Sequence, residues 1–459
     1  MSSSKRVTPP SARLPEAMTA EVKPIRTPAE EALARAIAAD SPKLPGRGAI
    51  AKLREEAATS FLASGLPHRR IEEWKYTDLR ALMRNAAPLA PPPDADAIKQ
   101  ARALDPFPGV KTRRLTLVNG ALVHELSDLT ALEPGLTILP LARALAEGHK
   151  LTGTIGAITP ETYDAALALN TAFLNDGVII ALEPGAKIER PIHIAHGFAG
   201  KAAAATFARV LILAGASSRA TIVESFEGPD GVGYQANSAL EFHAGDGSEI
   251  DFVRLQAEGD RAVHLSTLLA ELGARAKFSL YPVTTGAALS RASILLRFKG
   301  ENTDGRLAAA NLLRGSQHAD TTLLVDHAAV GCTSRELNKS ALDGQGRGIF
   351  QGKIIVRHGA QKTDARMATH ALLLSENAES DNKPELEIFA DDVQCGHGAT
   401  SGALNEDLLF YLFARGIPRK EAEALLIQSF VGEALDAIPH AGLREALAGR
   451  AANWLKERG

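Results

Sequence analysis

Cysteine is nearly absent: the 459 residues contain two, Cys332 and Cys395. Two thiols exclude a disulfide scaffold and fall short of a self-contained four-thiolate metal site. Aromatic residues are scarce as well, at 5%, with two tryptophans and five tyrosines. The core must therefore be thin and close-packed, built from Leu, Ile, Val and Ala. Neither sign of charge prevails: 51 Lys and Arg against 54 Asp and Glu leave a net charge of −3. That balance lacks the basic excess of a nucleic-acid binder. No run approaches the roughly 18–20 apolar residues of a membrane span. Residues 1–43 hold no apolar stretch of signal-peptide length, and Glu16, Glu21, Glu30 and Glu31 argue against a transit peptide. They read as a flexible polar lead-in running into a short helix, and the expected compartment is the reducing cytoplasm. What is present, 45% apolar and 23% charged residues, is ordinary for a folded chain.

Texture divides the rest. Residues 44–164 read as mainly helical: Ile50, Leu53, Ala57, Phe61 and Leu62 recur at near-helical spacing before the stop at Gly65 and Pro67. A second helical stretch is expected over 71–83, a break at Pro91-Pro92-Pro93, and a small hairpin about Asn119-Gly120. Across residues 165–403 short apolar runs recur instead, among them 178–182, 209–214, 250–255, 293–298, 321–325 and 348–356, parted by glycine turns. Residues 404–459 turn helical again. Asn405 caps the first of three helices, with Glu406 and Asp407 in its first turn; Gly416 ends it and Pro418 opens the next.

Thirteen or more short strands without crossover helices exclude a doubly wound α/β fold. A sandwich would need large interdigitating side chains, which this chain lacks. Coils stacked rung on rung suit it better, each burying small-to-medium aliphatic side chains. The fold expected is an irregular parallel β-helix flanked by helical regions, the C-terminal one capping its open end; a double-sheet sandwich is the competing fold.

Few motifs carry chemistry. The glycines from Gly344 to Gly352 do not form a phosphate loop: position 347 is Arg347, Lys353 is followed by Ile354, and a strand follows rather than a helix. Gln351 stands where a dinucleotide fingerprint needs its third glycine. No nucleophile elbow is present. Cys395-Gly396-His397 is the most suggestive cluster, because residues i and i+2 of a strand share one face. Thiol and imidazole there supply two metal donors, where an iron–sulfur cluster usually takes four. From spacing alone the plainer reading is a buried small thiol and a hydrogen-bonded turn histidine. His318, His327, His358 and His370 read as satisfied polar residues on the solenoid surface, and Cys332 as structural.

The run Lys383-Pro384-Glu385-Leu386-Glu387-Ile388-Phe389-Ala390-Asp391-Asp392-Val393-Gln394-Cys395-Gly396-His397-Gly398-Ala399-Thr400 resembles the signature of the SufB/SufD family of iron–sulfur cluster assembly proteins, on its SufD side. Supporting stretches are Phe350-Gln351-Gly352-Lys353-Ile354, Leu408-Leu409-Phe410-Tyr411-Leu412-Phe413-Ala414-Arg415-Gly416-Ile417 and Glu72-Glu73-Trp74-Lys75-Tyr76-Thr77. Gly396 departs from the Ser common in relatives, and the first forty residues carry no part of the likeness.

The resemblance implies a right-handed parallel β-helix in a non-catalytic scaffold that supports cluster formation and iron acquisition. It implies pairing with a SufB-like β-helix protein and a SufC-like ABC-type ATPase docked on the C-terminal helices, through residues such as Tyr411, Phe413 and Arg415. His397, with Cys395 beside it, would face the cluster-assembly interface and serve as metal donors together with partner ligands. No cofactor is expected to bind the chain stably by itself: the iron–sulfur cluster is transient at the interface, and a reduced flavin belongs to the complex. Two other readings compete. One is a homodimeric cluster carrier in which Cys395 and His397 of each copy make four ligands. The other is a polysaccharide-acting β-helix enzyme, against which the scarcity of Trp and Tyr counts.

Overall fold

The computed structural model describes residues 26–457. Helix α1 (Pro28–Asp40) opens on a reciprocal capping box, in which the Thr27 hydroxyl accepts from the Glu30 N–H and the Glu30 carboxylate accepts from the Thr27 N–H. The described part of the expected lead-in is therefore ordered. Ala29, Leu33 and Ile37 recur at helical spacing and are buried with Phe61, Trp74 and Phe173. Residues 1–25 of that lead-in lie outside the described residues. Helix α2 (Ala49–Ser64) ends at Gly65, as the sequence implies. The stretch 71–83 is not one helix; it holds a single 3-10 turn at Glu72–Trp74 and the short α3 (Leu79–Leu82). Past the prolines comes α4 (Ala95–Arg102), capped by Asp94. Strands β1 (Arg113–Val118) and β2 (Ala121–Leu122) form the expected hairpin. Asn119 and Gly120 both take positive φ, 52° and 85°, which a two-residue type I′ turn demands. Then follow β3 (Leu136–Pro140), α5 (Leu141–Glu147) and α6 (Ala165–Ala172). Helix α6 occupies the first residues assigned to the β-core, whose strands begin only at Gly177.

The core is a parallel β-helix of about eight turns, built from two facing sheets. One sheet takes β4 (Gly177–Leu182), β6 (Ala205–Ala214), β8 (Gln235–Ala244), β10 (Val263–Leu272), β12 (Leu289–Phe298), β14 (His318–His327), β16 (Arg347–Val356) and β18 (Glu379–Ile388), with β3 at its edge. The other takes β5 (Lys187–Gly197), β7 (Arg219–Glu227), β9 (Glu249–Ala257), β11 (Lys277–Thr284), β13 (Asp304–Leu313), β15 (Thr333–Leu342), β17 (Asp364–Leu373) and β19 (Gln394–Gly402), with β1 and β2 beyond β5. The N-terminal hairpin thus belongs to the solenoid's own sheet. Inward side chains stack in columns such as Ile212, Phe242, Ala270, Leu296, Val325 and Ile354. Their unequal spacing explains why no strict repeat is written in the sequence.

The lumen is not uniformly aliphatic. Along the inward face of β7 and β9, Glu224 meets Arg254 at 3.1 Å, and His264 of β10 meets Glu258 at 2.7 Å. Farther on, Asn311 donates to Asn338 at 2.9 Å, Asn338 to Thr369 at 3.2 Å, and Thr369 to Asn382 at 2.8 Å. These pairs satisfy one another side by side, which is what lets polar groups replace aliphatic ones in a closed interior.

Helices α7 (Glu406–Phe413), α8 (Arg419–Leu435) and α9 (Ala441–Glu457) close the chain. They do not cap the solenoid's end as expected. Ile427, Val431, Leu443 and Leu447 pack instead on the outer face of the second sheet, against Val253, Leu255, Val283 and Ala310. Apolar outward residues on β9, β11 and β13 offer that flank the larger area to bury. No helix among the described residues is long and apolar enough to cross a membrane.

The N-terminal region is riveted to the outer face of the first sheet by buried ion pairs. Arg291 lies 2.5 Å from Asp320, donates to the Glu73 carbonyl at 2.7 Å, and sits over the Trp74 ring. Thr77 donates to Asp320 and contacts His318, while Lys383 of β18 pairs with Glu72. These bonds hold the backbone of 72–77 flat against the sheet, so a helix cannot run through it. Arg209 and Glu241 form a second such pair at 2.5 Å, with Asn170 and Thr171 of α6 completing the guanidinium's bonds. Arg291→Met strands Asp320 as an unpaired buried charge and should cost about 3–5 kcal/mol, whereas the Arg291→Met, Asp320→Leu double variant should cost much less. Urea unfolding midpoints at unchanged m-value measure both; equal losses would refute the pairing.

Candidate functional site

Strands β18 and β19 end their sheets, and no strand among the described residues pairs beyond them. With the C-terminal helices on the flank, this last rung is open: neither strand contains a buried residue. Cys395 lies in register with Ala365 and His397 with Met367, and both of those partners face the solenoid core. Thiol and imidazole therefore share the inward face of the last strand, as the i, i+2 spacing implies. Cys395 is half-buried against the core and His397 is exposed. The other face of β19 carries Gly396, Gly398 and Gly402, and a methyl group added at any of them would meet nothing within 4 Å. That face also carries Gln394 and Thr400, the Thr400 hydroxyl lying 2.6 Å from His370 Nδ1.

Burial pushes the Cys395 thiol above its ordinary range; the Ala365 backbone offsets this, and the charges of Asp364 and Glu336 add to it. Such a thiol stays protonated until a metal or a base displaces its proton. No group of three or more His, Cys, Asp and Glu able to hold a metal exists among the described residues. Cys395 and His397 offer one thiol and one imidazole, too few donors to hold a metal by themselves. Cys332 is buried in the solenoid core with its thiol toward the Gly300 carbonyl, a packing position. Asp391 and Asp392 lie exposed in the turn between β18 and β19, Asp392 paired with Lys362.

Beneath the last rungs lies a group that sequence reasoning missed. His327, expected on the surface, is fully buried: its ring stacks on Phe298 at 4.4 Å and its Nε2 lies 3.0 Å from the Ser334 hydroxyl. Ser334 also bonds Glu336, which is 4% exposed. His327 Nδ1 and Glu336 Oε2 have no partner. Desolvation pushes the Glu336 carboxyl up to about 8 and the His327 imidazole down to about 4. Both groups are therefore uncharged at neutral pH. The alternation Ser334, Glu336, Asn338, Ser340 reads in sequence as a solvent face, and only the register of β15 turns it inward. His318 is held by Thr77, while His370 meets Thr400 and His358 is exposed on the surface.

A second surface is apolar and exposed. Helix α7 buries only Leu409. Phe410 is 73% exposed and Tyr411 54%, with Leu408 and Leu425 of α8 beside them in that class. Arg415 stacks its guanidinium on the Tyr411 ring at 3.3 Å, and Phe413 is half-buried. Of the residues expected to dock a partner, Tyr411 and Arg415 lie open. Phe410 and Leu408 are larger apolar contributors that the sequence pattern did not single out. A cleft of about 1,020 Å³ between α9 and the turns around Asp230, Asp260 and Gly286 lies elsewhere and contains neither Cys395 nor His397.

Known proteins bear on this arrangement. The family model described as SUF system FeS cluster assembly, SufBD core domain, matches residues 197–430, and that of the SufBD protein N-terminal region matches residues 45–194. An iron–sulfur cluster assembly SufBD family protein of Synechocystis is 30% identical over 408 residues, covering 86% of this chain and 88% of the relative. The iron–sulfur cluster assembly protein SufD of Escherichia coli is 28% identical over 403 residues, covering 85% and 89%. SufD of Bacillus subtilis is 28% identical over 290 residues, covering 61% and 64%.

Glu336 gives the fold a pH dependence of definite sign. Its folded pKa of about 8 exceeds the unfolded 4.5, so the native state holds the extra proton between them. Its contribution to stability is full below about pH 4.5 and is lost as pH rises to about 8, by a few kcal/mol in all. Glu336→Gln should leave stability unchanged near pH 4.5 and raise it progressively toward pH 9. Urea melts across that range test this, and a gain independent of pH would contradict the assignment.

Proposed function

This chain belongs to the SufBD family of SUF-system iron–sulfur cluster assembly proteins, and from that premise we propose that it is a SufD-like scaffold subunit with no catalysis of its own. The observation that carries this reading is the placement of Cys395 and His397 on the unpaired last rung, a partial ligand set at a sheet edge. An open edge of parallel strands is a template for another strand. A SufB-like β-helix protein is the partner whose own rungs would continue the stack and bring the missing donors. The nascent cluster is then cargo held between two chains, supplied with iron at their junction, and a reduced flavin belongs to the assembled complex.

Helix α7 supports the second contact. Exposed Phe410, Leu408 and Tyr411 form an apolar knob beside Arg415, the kind of aromatic and arginine anchor that dominates interfaces. A SufC-like ABC-type ATPase docks there in this reading and supplies the nucleotide chemistry for which this chain has no loop. The complex works in the cytoplasm. Because α8 is fastened to the solenoid flank, with Lys339 2.6 Å from Glu433, movement of the docked ATPase would be transmitted to the β-helix.

Co-purification from cells expressing all three proteins tests the scaffold: both partners should be retained by the intact chain. Phe410→Ala should lose the ATPase while keeping the β-helix partner. His397→Ala should change stability by no more than about 0.5 kcal/mol, since the side chain is exposed. It should nonetheless depress cluster formation by the complex, read from cluster absorbance. Undiminished cluster yield with His397→Ala would remove that residue from the assembly site, and capture of neither partner would end the scaffold reading.

A further inference from the structure

Glu336 is a carboxyl in the solenoid interior with one oxygen unpartnered, and it lies close to the open end. Its neighbours are few and identifiable. Leu307 of β13 lies behind it in register and Met367 of β17 in front. Ser334 on its own strand bonds it and leads to His327 of β14. From the facing sheet, Phe350 and Ile354 of β16 line the same core. The nearest cation in sequence, Arg335, points away and is spent on Asp364 at 2.5 Å. Asp326, beside His327, is engaged by Arg297 and Arg357. No cation therefore pairs with Glu336, and Arg335 favours its ionised form only through its charge. Met367 turns across the lumen over Gly352, where an added methyl group would collide with its sulfur. That one thioether side chain separates Glu336 from the rung bearing Cys395 and His397.

An ionised carboxylate in this position has two routes to relief. It can stay charged in a dry interior, at a cost of several kcal/mol. Alternatively, the rungs that cover it can part and admit water. In a solenoid each rung is held mainly by its neighbours, so an end rung opens more cheaply than any other. The end rungs here are the weakest in packing: β18 and β19 have no buried residue, and β19 has a strand on one side only. We infer that β17–β19 form a lid over the lumen whose opening is governed by the protonation of Glu336. With the carboxyl neutral the lid is shut. Loss of its proton draws water in past Met367 and loosens the column that carries Cys395 and His397.

Hydrogen exchange of the intact, isolated chain, followed by mass spectrometry from pH 6 to pH 9.5 and corrected for intrinsic base catalysis, tests this directly. Peptides within 364–402 should lose protection as pH rises from 6 to about 8, by up to about tenfold per pH unit, the limit for one coupled proton, and level off above that. Peptides within 205–300 should not. Glu336→Gln should make the 364–402 profile flat. Ser334→Ala removes the hydrogen bond that favours the ionised form, and should move the levelling-off to higher pH while leaving the lid intact. No extra loss in the unaltered chain, the same loss in Glu336→Gln, or a loss spread evenly over the solenoid would each overturn the inference. The lid rests on the scaffold reading only for its use: the exchange experiment needs no partner, so failed co-purification and a flat exchange profile are separate results.

Discussion

Every structural feature of this chain depends on the parallel rung-to-rung hydrogen-bond ladder. Each core strand bonds one neighbour on either side, and inward side chains stack in columns along the axis. Such a stack has no preferred length, only ends, and the two ends are treated differently. At the start, β3 runs antiparallel to β4 and the helices α2 and α5 pack beside it. At the finish nothing among the described residues covers β18 and β19. Cys395 and His397 stand on this unfinished rung.

The helical regions are fastenings on this ladder rather than independent bodies. The segment Glu72 to Thr77, prominent in the family resemblance, acts as a clamp. Its Trp74 ring, Glu73 carbonyl and Thr77 hydroxyl satisfy Arg291 and Asp320 on the sheet's outer face. The Glu72–Lys383 pair extends the fastening to the penultimate strand. On the opposite flank α8 and α9 bury their apolar stripe on the second sheet. The solenoid is braced on both sides, and at its terminal rung the bracing thins to the Glu72–Lys383 pair on β18.

Inside, polarity follows position along the axis. Early rungs hold ion pairs that satisfy each other, Glu224 with Arg254 and Glu258 with His264. Later rungs hold amides and hydroxyls bonded in series, from Asn311 to Asn382. Glu336 and His327 each keep an atom unbonded, as Gln256 does on an earlier rung, but Glu336 has no ion-pair partner.

Features that depend on neighbours along the chain were legible before any tertiary contact was known. The Asn119-Gly120 turn, the limits of α2, the Asn405 cap, most of the apolar strands, and the shared face of Cys395 and His397 all follow from local conformation and period-two alternation. The sequence did not reveal β13 and β15, whose inward positions include Ala309, Asn311, Glu336 and Asn338 and so carry no apolar alternation. Nor did it place His327 indoors, break the helix over 71–83, or send the C-terminal helices to the flank. Those outcomes belong to the tertiary structure. Which face of a strand is inside is set by its register with strands about 29 residues away, and which surface a helix covers is set by the apolar area that the finished stack leaves exposed.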